Sequence, residues 1–529
     1  MSSIDSTSLI INDVPQYFFD NGVIEQVQDL TKTIHSPKKQ PGPIIKKDRP
    51  WERIPYLTVN GWSILHDSVS GEFKCWYDDF PVDTQEVVRQ KTLYCVSSWT
   101  CYARSADGLN WEKPELDYSE VDGRKTNIVI GGKPLFHKLD STTVFEDFLD
   151  TDPKRRFKML LTRYVYAKDR TSKELADTLN LKPGFEASSD EIRIEMHCSG
   201  DGIHWTPAKE LPRYGQHGNG LGDTYTFFID GDTGIYRFLT RAAGMSSVHY
   251  DPRRPRTNSF FPPTFPHDAA RMNKRRVFQS ESKDLIHWSL PKCVLTPDAQ
   301  EDNIDDSYYG MVQFKMGEIY VGMLNVLHEV SNTIDVRLVY SRDGWEWHYL
   351  NQRQPWLTTN ADSWDKYMVN VSNPPIPVGN EFFVFYGGAS NHHDWWITGL
   401  YENLPVPEAH DIDKVRYGIG LAKMRLDGFV SMDAHKMREG IMITRALMTD
   451  KKKLEINAVC GEKGYLAVEV TDADENVIEG FSRKDCDTFT GDNVKAVISW
   501  KGKTEIPHSN CLRLRFFMKN ASLYSLKFS

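Results

Sequence analysis

A short phrase, Ser-x-Asp-(Gly/Leu)-x-x-Trp, occurs four times in this chain and constrains its fold more than any other feature. The copies end at Trp111, Trp205, Trp288 and Trp347. In such a phrase the Asp can accept hydrogen bonds from nearby backbone N–H groups, the Gly can adopt positive φ, and the Trp can pack beneath the next strand. The phrase therefore predicts a β-hairpin turn that the chain uses repeatedly.

The spacing of the phrase predicts a β-propeller. Its aspartates fall at positions 107, 201, 284 and 343, and a degenerate fifth copy, "RLDGF", adds Asp427. The intervals between successive aspartates are 94, 83, 59 and 84 residues. Such intervals fit four-stranded blades with loop insertions. Two alternating strands around a turn recur ahead of the phrase, as in "DTYTFFIDGDTGIYRFLTR" from Asp223 and "DSYYGMVQFKMGEIYVGML" from Asp306. We therefore predict five blades, each with strands A to D and the phrase between C and D.

The whole chain is predicted to be all-β and to have three parts. Residues 49–432 form the five-bladed β-propeller, and residues 1–48, which end in a basic, Pro-rich stretch, form an N-terminal arm laid over it. Residues 433–529 alternate apolar and polar side chains with turn residues every eight to twelve positions. This sequence pattern is typical of a small β-sandwich, which we predict as the C-terminal domain.

Composition excludes several classes of function. The net charge of −9 over 529 residues gives no basic surface for nucleic acid, and no apolar run is long enough to span a membrane. The first residues lack a signal peptide, so the protein is expected in the cytoplasm, or outside the cell after processing. The eight cysteines are scattered singly, and the neighbouring histidines 392 and 393 point apart more often than together, so we predict no metal and no cofactor.

The strand order also sorts residues between the two faces of the propeller. If strand A begins at the top of the channel, the three longest insertions, all between strands B and C, share the top face. Loops on a rigid scaffold commonly carry function, so the top is the predicted working face. The A-to-B turns lie at the bottom, where Asp67, Asp147 and Asp230 are predicted to be structural.

These motifs resemble a known enzyme group. Together with "PWERIPYLTVNGWSILHDSVSGEFKCWY" and "YGIGLAKMRLDGFVSMDA", they are similar to the five-bladed propellers of glycoside hydrolase families 32 and 43, most closely to bacterial family-32-like proteins, over nearly the whole chain. The resemblance implies a glycoside hydrolase that acts on a furanoside or a related oligosaccharide or polysaccharide. One departure is that the family 32 nucleophile motif, W-x-N-D-P-N-G, is absent, and Asn60 stands near the expected carboxylate. The catalytic residues of the family therefore do not transfer directly.

Glycoside hydrolysis needs two carboxyl groups that flank the scissile bond. Strand ends on the predicted top face offer Glu329 as the acid, Asp223 as the ionised partner and Asp306 to orient the sugar, while Glu52 is an alternative to Glu329. A stacking wall for a sugar ring is expected from the tryptophans of "NHHDWW". The predicted substrate-binding residues are Asn60, Asp79, Arg163, Arg241, His328, His392, His393 and Trp395.

Two other functions remain open at this point. A non-catalytic propeller that binds carbohydrate would need top-face aromatic residues but no carboxylate pair. A sialidase-like hydrolase would bind a substrate carboxylate through clustered arginines and use a Tyr nucleophile. Only Arg163 and Arg241 are predicted on the top face. All three readings make a carbohydrate the partner.

Overall fold

The structure is a computed structural model of the chain. It describes residues 8–11, 13–58, 61–79, 98–131, 137–165, 191–210, 224–241, 275–298, 300–303, 305–393, 395, 407–507 and 511–529. Helix in these ranges is limited to one four-residue segment, α1 (Pro407–His410), and 3₁₀ turns at Pro153–Arg155, Asn351–Arg353 and Ile412–Lys414. None of these helices is long and apolar enough to cross a membrane.

The N-terminal arm consists of six short strands. They are β1 (Leu9–Ile10), β2 (Gln16–Tyr17), β3 (Ile24–Gln28), β4 (Leu30–Ile34), β5 (Lys38–Lys39) and β6 (Ile45–Lys46). The first four pair with strands near the C-terminus, while β5 and β6 pair with a strand of the propeller. The arm is therefore hydrogen-bonded to both of the larger parts of the chain.

The first three blades are separate four-stranded antiparallel sheets. Blade 1 contains β7 (Trp62–His66), β8 (Phe73–Asp79), β9 (Trp99–Ser105) and β12 (Ile128–Ile130), and a side hairpin of β10 (Leu116–Val121) and β11 (Arg124–Thr126) precedes β12. Blade 2 contains β13 (His137–Glu146), β14 (Phe157–Val165), β15 (Glu191–Ser199) and β16 (Thr206–Glu210). Blade 3 contains β17 (Tyr225–Asp230), β18 (Ile235–Arg241), β19 (Val277–Ser282) and β20 (Lys292–Leu295).

Blades 4 and 5 belong to one hydrogen-bonded sheet. Blade 4 contains β21 (Asp306–Met316), β22 (Ile319–His328), β23 (Thr333–Ser341) and β24 (His348–Tyr349). Blade 5 contains β25 (Met368–Asn370), β26 (Ile376–Val378), β27 (Glu381–Ala389) and β28 (Tyr417–Arg425). A parallel contact between Ile334 and Met368 joins the two blades, and β5 and β6 of the arm form the outer edge of blade 5.

A ring of hydrogen bonds connects all five blades, through their first two strands and the segment that follows β25. Its bonds run from Val144 N–H to Ser63 Oγ (3.0 Å), Thr143 Oγ1 to the Tyr225 carbonyl (3.1 Å), Thr226 Oγ1 to the Met311 carbonyl (2.6 Å), Asn325 Nδ2 to the Val371 carbonyl (3.0 Å), and Ile64 N–H to Asn373 Oδ1 (2.6 Å). Each bond joins one blade to the next, and the last joins blade 5 to blade 1. The predicted all-β fold with a five-bladed propeller is confirmed.

The four full copies of the repeated phrase have the same local structure. In each, the Asp Oδ1 accepts two backbone N–H bonds of 2.8 to 2.9 Å from the residues two and three positions later. The residue after the Asp has positive φ, including Leu285 at 61°, where the other copies have Gly. In the degenerate copy, Asp427 instead accepts a bond from Tyr17 of the arm, because the chain leaves the propeller here.

Aspartates in the A-to-B turns contact the next blade. Asp67 of blade 1 binds Arg156 of blade 2 through bonds of 2.6 and 2.8 Å. The Tyr236 hydroxyl donates to Asp147 at 3.0 Å, and the Tyr320 hydroxyl donates to Asp230 at 2.6 Å. These carboxylates therefore hold neighbouring blades together at the bottom of the propeller.

The C-terminal region, where a β-sandwich is predicted, forms a curled sheet of ten strands together with the arm. It contains β29 (Val430–Ala434), β30 (Gly440–Thr444), β31 (Leu447–Met448), β32 (Leu454–Asp472), β33 (Asp492–Val497) and β34 (Leu512–Phe528), with β1 to β4 of the arm. The long strands β32 and β34 pair along almost their full length, so hydrogen bonds continue around the curl. Phe429 packs against Phe314 and Phe382 of the propeller, which attaches this sheet to blades 4 and 5.

Candidate functional site

The starts of the A strands and the ends of the B strands share one face of the propeller, which we call the channel mouth. The pairs that show this are Trp62 with Tyr77, Tyr225 with Thr240, Asp306 with His328 and Met368 with Ala389. The repeated phrases lie at the other end of the blades, because β9 starts beside Asp79 and ends at Ser105. The predicted separation of the two faces therefore holds in the described part of the chain.

Blades 3, 4 and 5 meet at the channel mouth around Tyr309. This residue lies at a register shift in β21, and its hydroxyl is 2.7 Å from Nε2 of His393 in the loop after β27. The guanidinium groups of Arg241 and Arg275, both from blade 3, lie 4.3 and 4.6 Å from the centre of the Tyr309 ring. The structure thus brings together two predicted residues, Arg241 and His393, with two that the sequence analysis missed, Tyr309 and Arg275.

Glu329 is a buried carboxyl group at the same face. It follows β22 directly and is 8% exposed. Its backbone N–H donates to the Asp305 carbonyl at 3.1 Å, and the Asp305 carboxylate accepts the N–H of Val330 at 2.9 Å. No hydrogen bond or ion pair within the described ranges engages the Glu329 carboxyl group, so it can exchange a proton with a ligand.

Asp306 is fully buried and engaged by cations, unlike an acid that acts on substrate. His328 Nδ1 lies 2.7 Å and Arg337 Nη2 lies 2.6 Å from its two oxygens. Burial opposes the charged form, but the hydrogen bond from His328 and the charge of Arg337 outweigh it and lower the pKa of Asp306 to about 2. The carboxylate is therefore ionised at neutral pH and held by His328 and Arg337.

His328 is held between two carboxylates. Its Nε2 lies 3.0 Å from Asp335, opposite the bond to Asp306. Burial lowers the pKa of His328, but hydrogen bonds to Asp306 and Asp335 dominate and raise it to about 10. Both ring nitrogens are thus occupied, and this residue meets a sugar only through the small exposed part of its ring.

Asp79 also belongs to a buried, structured environment. Its carboxyl oxygens accept the backbone N–H groups of Arg53 and Ile54 at 3.1 and 2.8 Å, so it anchors the segment that leads into blade 1. Burial raises the pKa of Asp79 to about 7. Glu52 is engaged as well, because its oxygens bind Tyr77 at 2.5 Å and Lys113 at 2.7 Å.

The described residues of "NHHDWW" are more enclosed than a sugar-stacking wall requires. The His392 ring stacks on Tyr367 with 3.9 Å between centroids, and its Nδ1 is 2.7 Å from Glu408. Trp395 is 2% exposed, and its indole N–H donates to the Tyr417 hydroxyl at 3.2 Å. Its ring therefore packs in the core between blades 5 and 1.

Three predicted site residues cannot be placed with the others. Asn60 and Asp223 lie outside the described residues, and Arg163 is described only as a backbone position of β14. Within the described ranges, no three His, Cys, Asp or Glu side chains lie close enough together to hold a metal ion.

Comparisons with known proteins give only distant likenesses. No protein-family model and no curated protein matches the chain. A solved N-acetylgalactosamine deacetylase from F. plautii, in complex with blood group B trisaccharide, is 13% identical with a TM-score of 0.45, over 76% of this chain and 97% of that chain. A thermostable family-43 glycoside hydrolase is 13% identical with a TM-score of 0.38, over 72% and 95%. An exo-β-1,3-galactanase from Phanerochaete chrysosporium is 8% identical with a TM-score of 0.36, over 94% and 100%. These TM-scores are too low to support an argument, so the propeller fold rests on the strand pairing within the chain.

Proposed function

We propose that the protein is a glycoside hydrolase whose substrate sugar binds at the channel mouth, with Glu329 as the general acid. The observation that supports this most is the state of Glu329, a carboxyl group that is 8% exposed and has no partner among the described residues. A buried carboxyl group without a partner is unfavourable for folding and is commonly explained by a ligand or a proton transfer. The substrate class that we propose is a furanoside or a related oligosaccharide.

The second carboxyl group of the proposal is Asp223, as nucleophile or as the base that activates water. Asp223 directly precedes Thr224, whose carbonyl accepts the backbone N–H of Arg241 at 3.3 Å. This bond supports a position for Asp223 near Arg241 in the proposal. Asp306 has a positioning role in this scheme, because its carboxylate holds His328 and Arg337 rather than a sugar.

The test is a screen of furanosides and oligosaccharides, followed by kinetics of Glu329→Gln. We expect this variant to keep its melting temperature while kcat falls about 10²- to 10⁴-fold, as for loss of a general acid. Glu318→Gln is the matched control, since Glu318 lies in the same blade at the opposite face and its side chain is 46% exposed. Unchanged kcat in Glu329→Gln would exclude Glu329 as the acid.

A non-catalytic carbohydrate-binding propeller is the second candidate. It is favoured by the engagement of Asp306, which leaves Glu329 as the unpartnered acid among the predicted catalytic residues that the structure describes. This alternative predicts binding of an oligosaccharide by calorimetry without release of any product after prolonged incubation.

A further inference from the structure

We propose that the sugar bound at the channel mouth carries an anionic substituent, a carboxylate or a sulfate ester, and that Arg275 binds this group. The inference rests on the proposed function in one respect, namely that the channel mouth is the substrate site. It adds the charge of the substrate, which the proposed furanoside or oligosaccharide class leaves open.

Arg275 is half-buried, and no carboxylate in the described part of the chain binds its guanidinium. Its backbone N–H donates to Ser307, its guanidinium lies over the Tyr309 ring, and its Nη1 is buried without a hydrogen-bond partner. By contrast, Arg337 and Arg156 each bind carboxylates at 2.6 to 2.9 Å. A guanidinium cannot lose its proton in a protein, so Arg275 keeps a charge that no carboxylate of the described residues neutralises.

A second guanidinium, that of Arg241, contacts the same aromatic ring. Arg241 is paired with Val277 across blade 3, and Arg275 is two residues before Val277, so both arginines project from the same face of the blade. Both guanidinium groups contact the one ring of Tyr309. The aromatic ring stabilises the Arg275 cation only in part, so its guanidinium can still bind an anion.

The chemistry of the guanidinium group selects the ligand. Its planar fork of N–H donors matches the two oxygens of a carboxylate or sulfate. Sugar hydroxyl groups can accept the same hydrogen bonds, but they do not neutralise the charge. We therefore expect the enzyme to distinguish an acidic sugar from its neutral counterpart.

The experiment compares matched substrates. Uronic-acid-containing glycans are assayed beside the same glycans after carboxyl reduction, and sulfated glycans beside their desulfated forms, so the two sources of the anion are separated. We expect the acidic member of one pair to have at least a tenfold higher kcat/KM, consistent with a charge-assisted hydrogen bond. Equal or better turnover of both neutral members would overturn the proposal while leaving the glycosidase assignment intact.

Variants locate the contact. Arg275→Gln should raise KM for the acidic substrate about tenfold or more and reduce the preference for it, whereas Arg275→Lys should keep part of that preference. Arg276→Gln is the control, because Arg276 is the next residue and binds Thr296 on the outer side. If Arg275→Gln folds, as judged by its melting temperature, and retains the full preference, the assignment of Arg275 is wrong.

A separate experiment tests the anion site if no glycan is hydrolysed. Binding of glucuronate, glucose 6-sulfate and glucose to the full chain is then measured by saturation-transfer NMR. Binding of an acidic sugar but not of glucose, and its loss in Arg275→Gln, would support the anion site although the proposed hydrolase activity had failed. Absence of any such preference would overturn the anion site as well.

Discussion

Replacing His328 with glutamine should destabilise the propeller strongly at pH 6 and only weakly at pH 10. The imidazole lies between Asp306 at 2.7 Å and Asp335 at 3.0 Å, and these contacts raise its pKa from 6.5 to about 10. That difference corresponds to at most about 5 kcal/mol of stabilisation. Since glutamine keeps one hydrogen bond, we expect a loss of about 2–4 kcal/mol at pH 6.

The sign of the pH dependence follows from linkage. A group whose pKa is raised by folding contributes its full stabilisation below the unfolded pKa, here 6.5, and loses it as the pH rises through the folded value of about 10. The stability difference between wild type and His328→Gln should therefore shrink steadily from pH 6.5 to pH 10. Urea unfolding followed by tryptophan fluorescence measures it, with Cm and m compared at each pH.

His287→Gln is the matched control. His287 is also 2.7 Å from a carboxylate, that of Asp284, but its side chain is 85% exposed, so we expect less than about 1 kcal/mol. An effect of His328→Gln that is equally large at pH 6 and pH 10 would refute the reasoning, because it would mean that the imidazole is not a buried cation.

Two other predictions concern acids with opposite environments. Burial raises the pKa of Asp79 to about 7, so ionisation of Asp79 lowers the stability of the wild type as the pH rises from about 4 to 7. Asparagine does not ionise. The free energy of unfolding of Asp79→Asn, relative to wild type, should therefore be about 1–3 kcal/mol more favourable at pH 8 than at pH 5. Thermal melts at both pH values check this, and a constant difference would contradict it. Asp343→Ala removes the acceptor of the Trp345 and Glu346 N–H bonds and should cost about 1–2 kcal/mol in urea unfolding. If Asp343→Ala lowers the free energy of unfolding no more than Glu346→Ala does, the hydrogen bonds of the Asp343 side chain do not stabilise the turn.

The propeller was predictable because its signal is local and repeated. The Asp of each phrase binds N–H groups only two and three residues away, so sequence spacing alone defines the turn. The outer strand of blade 5 was not predictable in this way. After Asp427 the chain enters the C-terminal sheet, and β28 is covered by β5 and β6, which have two residues each and no periodicity to detect.

The candidate site was predicted only in part, because some of its contacts join residues that are far apart in sequence. Strand order placed Arg241, His393 and Glu329 at one face, where the structure also has them, while their roles stay predictions. The partners of Asp306 include Arg337 on β23, and β22 lies between the two strands, so no local pattern shows that this acid is neutralised. Arg275 lies in the basic run "NKRRV", where strand alternation sends consecutive side chains to opposite faces. That signal was present but does not by itself identify which arginine faces the channel mouth.

The N-terminal arm should stabilise the propeller through its backbone, which a single proline can test. The N–H of Gln40 donates to the Leu421 carbonyl at 2.7 Å, at the outer edge of blade 5. Gln40→Pro removes this donor and leaves the carbonyl without its bond, so we expect a loss of about 1–3 kcal/mol and faster hydrogen exchange in β28. Gln40→Ala keeps the N–H and removes only the side-chain contact with Lys38, so it should change little. Because an uncovered edge strand is a template for pairing with another chain, the proline variant should also aggregate at lower urea concentrations than wild type. Equal stability, exchange and solubility in both variants would mean that the pairing of β5 with β28 does not stabilise the outer edge of blade 5.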